Sequence, residues 1–111
     1  MEKYREVKKH RKRVKRALDE LGDDPASVLR ELKITGTVGE AGLCPVANYV
    51  SERVDRRVWI TQSYAFASRN DYIRDRRGIG VPEPVQNFIC RFDTGRYPEL
   101  FDEYSKTLFK V

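Results

Sequence analysis

The sequence has two cysteines, one histidine and no long apolar run, and each scarcity excludes a class of protein. Cys44 and Cys90 are too few for the disulfide framework of a small secreted domain, so we expect both thiols to be reduced. One histidine and no closely spaced pair of cysteines argue against a zinc site, and we expect neither a metal nor a cofactor. No stretch of 18 apolar residues exists and the N-terminus is charged, so we expect neither a membrane span nor a secretory signal. The chain is therefore predicted to be cytoplasmic.

Positive charge is concentrated at one end of the chain. The first 16 residues hold nine Lys/Arg and two Glu, a net charge of +7. The other 95 residues hold 13 basic and 15 acidic side chains, a net charge of −2. This contrast separates residues 1–22, a basic helix that could project, from residues 23–111, which we expect to form one compact domain with one core.

The first predicted helix covers residues 2–21 and is amphipathic. Its apolar positions are Tyr4, Val7, Val14, Leu18 and Leu21, three of them at intervals of seven, and Arg11 interrupts the series. We expect its second half to pack on the rest of the protein, and Gly22 to end it.

Proline and glycine mark the next helices. Asp24-Pro25 predicts a capped helix over residues 25–32, whose inward residues are Val28, Leu29 and Leu32. The segment 34–42 contains three glycines and predicts a loop with a short extended piece at its start. Cys44-Pro45 then opens a third helix, and its apolar face consists of Leu43, Val46, Ala47, Val50 and Val54.

Residues 58–66 change to a period of two, which predicts one strand with Gln62 as the exception to the alternation. Asn70-Asp71 indicates a turn, after which either Tyr72-Ile73 or residues 79–81 would supply an antiparallel partner. Together with the helices, this pattern predicts a small α+β domain, mainly helical, with four to five helices and a β-hairpin after the third helix.

The C-terminal third is predicted to form two helices that share one core. The prolines before Val85 place a helix start near Glu83, and apolar residues follow at helical spacing, with Cys90 as a packing residue beside them. Gly95 is positioned to end that helix. A second, short helix is indicated by Leu100, Phe101, Tyr104 and Leu108.

Two segments resemble a known group of proteins. The pattern LCPVANYV at 43–50, followed by VPEPVQNFICRFDTGRYPEL at 81–100, is similar to small uncharacterised proteins of actinobacteria and their phages. The resemblance implies an intracellular accessory protein of the kind a phage encodes, and it implies no catalytic residue.

The basic helix is the strongest functional signal in the sequence. Cations crowded on one short helix can neutralise phosphates and release condensed counterions, which gives affinity for nucleic acid without reading its sequence. The residues we expect to contact phosphates are Lys8, Lys9, Arg11, Lys12, Arg13, Lys15 and Arg16. No helix-turn-helix spacing or RNA-recognition signature accompanies them. An acidic protein partner, or a solvated helix without a ligand, is compatible with the same pattern.

A second basic group surrounds the predicted strand. Arg76, Arg77 and Trp59 could add phosphate contacts and base stacking to the first set. Acidic residues lie among these arginines, however, and ion pairs with Asp55, Asp71 and Asp75 on a solvated face are the interpretation we favour.

Two other function classes remain open. A protein–protein interaction module could inhibit or adapt an acidic host protein, or could form a homodimer through the Val7/Val14/Leu21 series. An enzyme is suggested only by Cys44, since a thiol at a helix start can be activated as a nucleophile. The sole histidine, His10, is far away in sequence, so we expect Cys44 to be a buried packing residue and the protein not to be an enzyme.

Overall fold

The computed structural model describes the backbone of residues 2–111 and the side chains of residues 5–111. That part of the chain contains six α-helices, one 3-10 helix and three short strands. In order they are α1 (Glu2–Glu20), α2 (Pro25–Glu31), α3 (Pro45–Val54), β1 (Trp59–Ile60), β2 (Tyr64–Phe66), α4 (Arg69–Arg74), β3 (Ile79–Gly80), α5 (Glu83–Asp93), the 3-10 helix (Pro98–Leu100) and α6 (Glu103–Phe109). The predicted class, a mainly helical α+β fold with a hairpin after the third helix, is confirmed.

Helix starts follow from local side-chain chemistry. The side chains of Asp24, Ser68 and Asp102 each accept a hydrogen bond from a backbone N–H in the first turn of α2, α4 and α6. The Sγ of Cys44 does the same for α3, accepting from the N–H of Ala47 at 3.3 Å. Gly22, with φ of +63°, follows α1, as expected for a residue that ends a helix.

The strands form one antiparallel sheet in the order β1-β2-β3. The prediction of a single strand over residues 58–66 is wrong, because the chain turns back at residues 61–63 and Trp59 pairs with Phe66. The hydroxyl of Thr61 closes this turn by accepting from the N–H of Tyr64 at 3.1 Å. Gln62, the exception to the alternation, lies in the turn.

The segment after β2 is also different from the prediction. Asn70-Asp71 does not form a turn but lies in α4, because the Oγ of Ser68 accepts from the N–H of Asp71 at 3.1 Å and starts a helix. Tyr72-Ile73 is therefore helical, and the other predicted partner is the correct one: Ile79 pairs with Ala65 of β2.

One core joins the helices to the sheet. α1 packs mainly on α3, and α2 packs on α5. The largest fully buried side chains are Phe92, Phe101, Leu18, Leu21, Leu29, Ile60, Leu100, Val14, Val46, Val50, Val58 and Val85. The loop before α3 is tied to the C-terminal part through Gly36, whose N–H donates to the carbonyl of Leu100 at 3.0 Å. A Cβ at Gly36 would lie 2.4 Å from the nitrogen of Pro45, so only glycine fits this crossing.

Several residues predicted to face inward are exposed. Leu32, Leu43, Tyr104 and Leu108 are each about half exposed or more, at 54%, 48%, 63% and 53%. Leu32 lies beyond the end of α2. α6 begins only at Glu103, and the buried residue of this helix is Ser105. The Oγ of Ser105 accepts a hydrogen bond from the N–H of Val38 at 2.8 Å. Cys90 is exposed on the outer side of α5, and Tyr4 lies outside the described side chains.

Candidate nucleic-acid interface

α1 divides into a buried stripe and a charged arc. The stripe consists of His10, Val14, Ala17, Leu18 and Leu21, which follow helical spacing and lie in the core. The predicted contacts Lys8, Lys9, Lys12, Arg13, Lys15 and Arg16 are exposed on the remaining arc, and Arg11 is half-buried beside the stripe. Packing of one face therefore fixes the opposite face of the helix, from which the cations extend, relative to the rest of the protein.

The structure brings the two basic groups of the sequence together. The guanidinium of Arg11 donates a hydrogen bond to the carbonyl of Arg77, in the segment before β3. On the other side of the stripe, Arg13 Nη2 donates to the carbonyl of Arg53 at 3.4 Å, near the end of α3. These two hydrogen bonds join residues that are 66 and 40 positions apart in the sequence. The side chains of Arg76 and Arg77 are exposed. We call the cations between Lys8 and Arg16, together with Arg53, Arg56, Arg76 and Arg77, the basic surface.

Trp59 is less available for base stacking than the sequence suggests. Its ring is half-buried and stacks on Tyr72, with centroids 6.4 Å apart and an interplanar angle of 14°. A Cβ at Gly42 would lie 2.9 Å from the indole Nε1, so the backbone of Gly42 covers the indole there. A base would have to displace one of these neighbours.

The predicted ion pairs within the arginine-rich segment are absent among the side chains of residues 5–111. The carboxylates of Asp55, Asp71 and Asp75 have no Lys or Arg nitrogen within 4 Å in that range. Asp55 and Asp75 instead end α3 and α4, with φ of 56° and 51°. Asp55 and Asp75 thus end helices, while Asp71 lies in the first turn of α4. None of the three pairs with a neighbouring guanidinium group among residues 5–111.

A cleft of about 200 Å³ lies between α1 and α3 within the basic surface. Its polar lining is Arg13, Arg16, Glu20 and Arg53. Glu20 Oε2 accepts from Arg53 Nε at 3.1 Å and from the hydroxyl of Tyr49 at 3.2 Å. The hydrogen bond from Arg53 holds the pKa of Glu20 below its usual value. We call this feature the α1–α3 cleft.

His10 is a site residue that the sequence reasoning placed among the cations rather than in the core. It is 8% exposed, and its Nε2 has no hydrogen-bond partner among the described residues. Burial and the positive charges of Arg56 and Arg13 lower its pKa, while a hydrogen bond with the backbone of Ala67 acts in the opposite direction. The spacing of four residues from His10 to Val14 is the signal that could have revealed this burial.

Cys44 is the one nucleophile that the sequence analysis considered. It is 3% exposed, and burial raises the pKa of its thiol to about 12. At neutral pH the sulfur is therefore a protonated thiol, and it serves as the cap of α3. Both cysteines are free.

The comparisons with known proteins give no match: no family model fits the chain, and no curated protein or solved structure is significantly similar to it. Among residues 2–111, no helix combines the length and apolar character that crossing a bilayer requires. The described side chains also contain no group of three or more His, Cys, Asp or Glu that could hold a metal ion.

Proposed function

We propose that this protein is a small, non-enzymatic regulatory or accessory protein of the cytoplasm, of the kind a phage encodes, that binds the backbone of nucleic acid through its basic surface. The observation that carries the proposal is the hydrogen bond from Arg11 to the carbonyl of Arg77. It joins the cations of α1 to those of the segment before β3, so that one ligand could contact both.

The charge of the surface is available to a ligand. Among the described side chains of α1, only Lys15 has a cation–carboxylate contact within 4 Å to its own helix, with Asp19 at 2.6 Å. Lys8, Lys9 and Lys12 are exposed and lack such a partner in residues 5–111. Phosphates that replace the counterions of these groups would supply affinity without sequence reading.

The test uses substitutions in the full chain, because deletion of residues 1–16 would remove Val14 from the core. Binding of a fluorescent duplex and of a single strand is measured between about 50 and 200 mM salt. We expect Lys8→Gln/Lys9→Gln/Lys12→Gln to weaken duplex binding and to flatten the slope of log affinity against log salt by about 0.9 per lost contact.

The matched control is Lys33→Gln/Arg96→Gln/Lys110→Gln, which removes three exposed cations from other parts of the chain. It should retain the salt slope of the unchanged protein. Equal losses in the two triple variants would mean that net charge, not the basic surface, is responsible. No binding of either strand type at the lowest salt would end the proposal.

A protein–protein interaction module is the second candidate, favoured by an apolar area at the C-terminus. Tyr104 and Leu108 are one helical turn apart on α6 and are 63% and 53% exposed, and Val111 beyond them is 68% exposed. These side chains could dock on a host protein while α1 meets its acidic residues. The series predicted for a homodimer is not free for that use, since Val14 and Leu21 are buried in the protein's own core. If Leu108→Glu abolished the biological effect while duplex binding persisted, this second function would replace the first.

A further inference from the structure

The α1–α3 cleft combines features that the rest of the basic surface lacks. It is concave, and three guanidinium groups but one carboxylate line it. Its volume of about 200 Å³ is many times the roughly 10–15 Å³ that one water needs, so a phosphate group can enter. An excess of arginines in a concavity is suited to a tetrahedral anion, because guanidinium donors bind phosphate oxygens in pairs.

We propose that the α1–α3 cleft is a phosphate-binding site, in which Arg16 and Arg53 donate hydrogen bonds to one phosphate group and Arg13 contributes charge. That the phosphate belongs to a nucleic-acid backbone rests on the proposed function. The affinity of the cleft for a phosphate group does not rest on that function. A free phosphate compound could supply the phosphate group instead of a nucleic acid.

The neighbours of the arginines hold them in place for this role. Glu20 accepts from Arg53 Nε at 3.1 Å, and the Arg53 guanidinium lies 5.6 Å from the centre of the Tyr49 ring. These contacts orient the group and leave its Nη1 donors free, since the described hydrogen bonds of Arg53 use Nε and Nη2. Arg13 is tied to the Arg53 carbonyl at 3.4 Å. The cleft is thus partly organised before any anion enters.

His10 offers a direct readout, because it is the only histidine and gives one imidazole signal in NMR spectra. Arg13, which lines the cleft, is one of the charges that lower its pKa. An anion bound beside Arg13 offsets that charge and raises the pKa of His10. Arg56, the other cation that faces His10, is not part of the lining of the cleft.

The experiment titrates the full chain with inorganic pyrophosphate and, separately, with a short DNA duplex, and follows the His10 signal near pH 6.5. We expect a saturable shift and a rise in the His10 pKa with both ligands. Arg16→Gln should weaken the affinities for pyrophosphate and for the duplex about tenfold each, which is the effect of losing one hydrogen bond between charged groups. Arg96→Gln, which removes an exposed arginine beyond α5, should leave both affinities within about twofold of the unchanged protein.

Removal of a negative charge distinguishes a specific phosphate site from a general effect of net charge. Glu20→Gln removes the negative charge that competes for the arginines of the cleft but keeps a side-chain oxygen that can accept from Arg53 Nε, so it should tighten pyrophosphate binding several-fold. Glu103→Gln also removes a carboxylate from an ion pair, the one with Lys106 at 3.2 Å, but does so on α6. It should leave the affinity unchanged. Thermal unfolding of each variant checks that the fold is retained.

The possible outcomes distinguish the phosphate site in the cleft from the proposed nucleic-acid function. Affinities that follow net charge alone, equal for the two arginine variants and for the two glutamate variants, would overturn the cleft site. If the duplex still bound with a steep salt dependence in that case, the proposed function would stand without it. Saturable pyrophosphate binding that depends on Arg16, with no duplex binding, would support the cleft as a site for a free phosphate compound and would end the nucleic-acid function.

Discussion

At the scale of single residues, His10 has an environment in the fold that differs from the one its sequence neighbours suggest. In the sequence it stands between Lys9 and Arg11, inside the most basic segment. In the fold it occupies the buried stripe of α1, its Nε2 has no hydrogen-bond partner among residues 5–111, and the charges of Arg56 and Arg13 act on it. A positive charge on the imidazole would be opposed by both arginines and by burial. The imidazole is therefore neutral at pH 7, and its protonation opposes the packing of α1.

The pH dependence of stability follows from that environment. The pKa of His10 lies below the 6.5 of a free histidine, so the unfolded chain binds more protons between the two values. The contribution of neutral His10 is fully present above pH 6.5 and is lost as the pH falls through 6.5 toward the folded-state pKa. We expect the free energy of unfolding to decrease by at most about 1.4 kcal/mol per pH unit in this range. Urea unfolding at several pH values measures it.

His10→Gln is the control for this prediction, since glutamine does not titrate. The variant should lack the decrease in the free energy of unfolding that His10 causes below pH 6.5. Glu20 and Asp102, whose pKa values are lowered from 4.5 and 3.8, lose their contributions at more acidic pH. Asp93, with a pKa raised by burial, acts in the opposite direction. Identical pH profiles for the variant and the unchanged protein would show that His10 is not the group responsible.

At the scale of elements, α1 has two roles that share one helix. Its stripe supplies Val14, Leu18 and Leu21 to the core, and its outer arc carries the cations. The packing of the stripe determines which side of the protein carries the cations. Loss of this packing should therefore lower the stability of the protein and displace the cations from their place on its surface.

Truncation of a buried leucine tests the structural role of α1. Leu18 is fully buried, whereas Leu32 is 54% exposed just beyond α2. We expect Leu18→Ala to lower the free energy of unfolding by about 2–5 kcal/mol, because it leaves a cavity. Leu32→Ala should change it by no more than about 0.5 kcal/mol. Chemical denaturation compares the two, and similar effects at both positions would mean that α1 is not packed as described.

Helices were more predictable than strands for a physical reason. Caps, prolines and glycines are read within a few residues, so the starts of α2, α3 and α5 follow from Asp24, Cys44-Pro45 and the prolines near Glu83. The sheet was less predictable because the period of two continues across the turn at residues 61–63, and only the pairing of Trp59 with Phe66 reveals the reversal. The prediction of which residues of the short helices are buried was wrong for a similar reason. The face of α6 that meets the core depends on the loop whose Val38 N–H donates to Ser105.

At the scale of the whole molecule, like charges converge. The cations of α1 approach those near the ends of α3 and before β3, and one carboxylate, Glu20, lines the cleft between α1 and α3. Such a concentration of one sign lowers the stability of the folded state through self-repulsion and favours a polyanionic ligand. We therefore expect the concentration of positive charge to have a measurable effect on folding.

Salt should therefore stabilise the protein. Between about 20 and 200 mM NaCl the screening length falls from above 20 Å to below 10 Å, so repulsion across the basic surface weakens. We expect the free energy of unfolding to rise by roughly 1 kcal/mol over this range. Lys12→Gln, which removes one exposed cation from the outer arc, should show a smaller rise. A decrease with salt would indicate that the ion pairs outweigh the repulsion.

The amino-acid order already contains the charge asymmetry, the helix starts and the mainly helical α+β class, because these depend on composition and on interactions within a few residues. It also identified the cations of α1 as the candidate contacts. The burial of His10, the split of the predicted strand, the meeting of Arg11 with Arg77 and the cleft between α1 and α3 depend on packing between distant segments. Contacts across 40 or more residues leave no local pattern, so the tertiary fold was needed to reveal them.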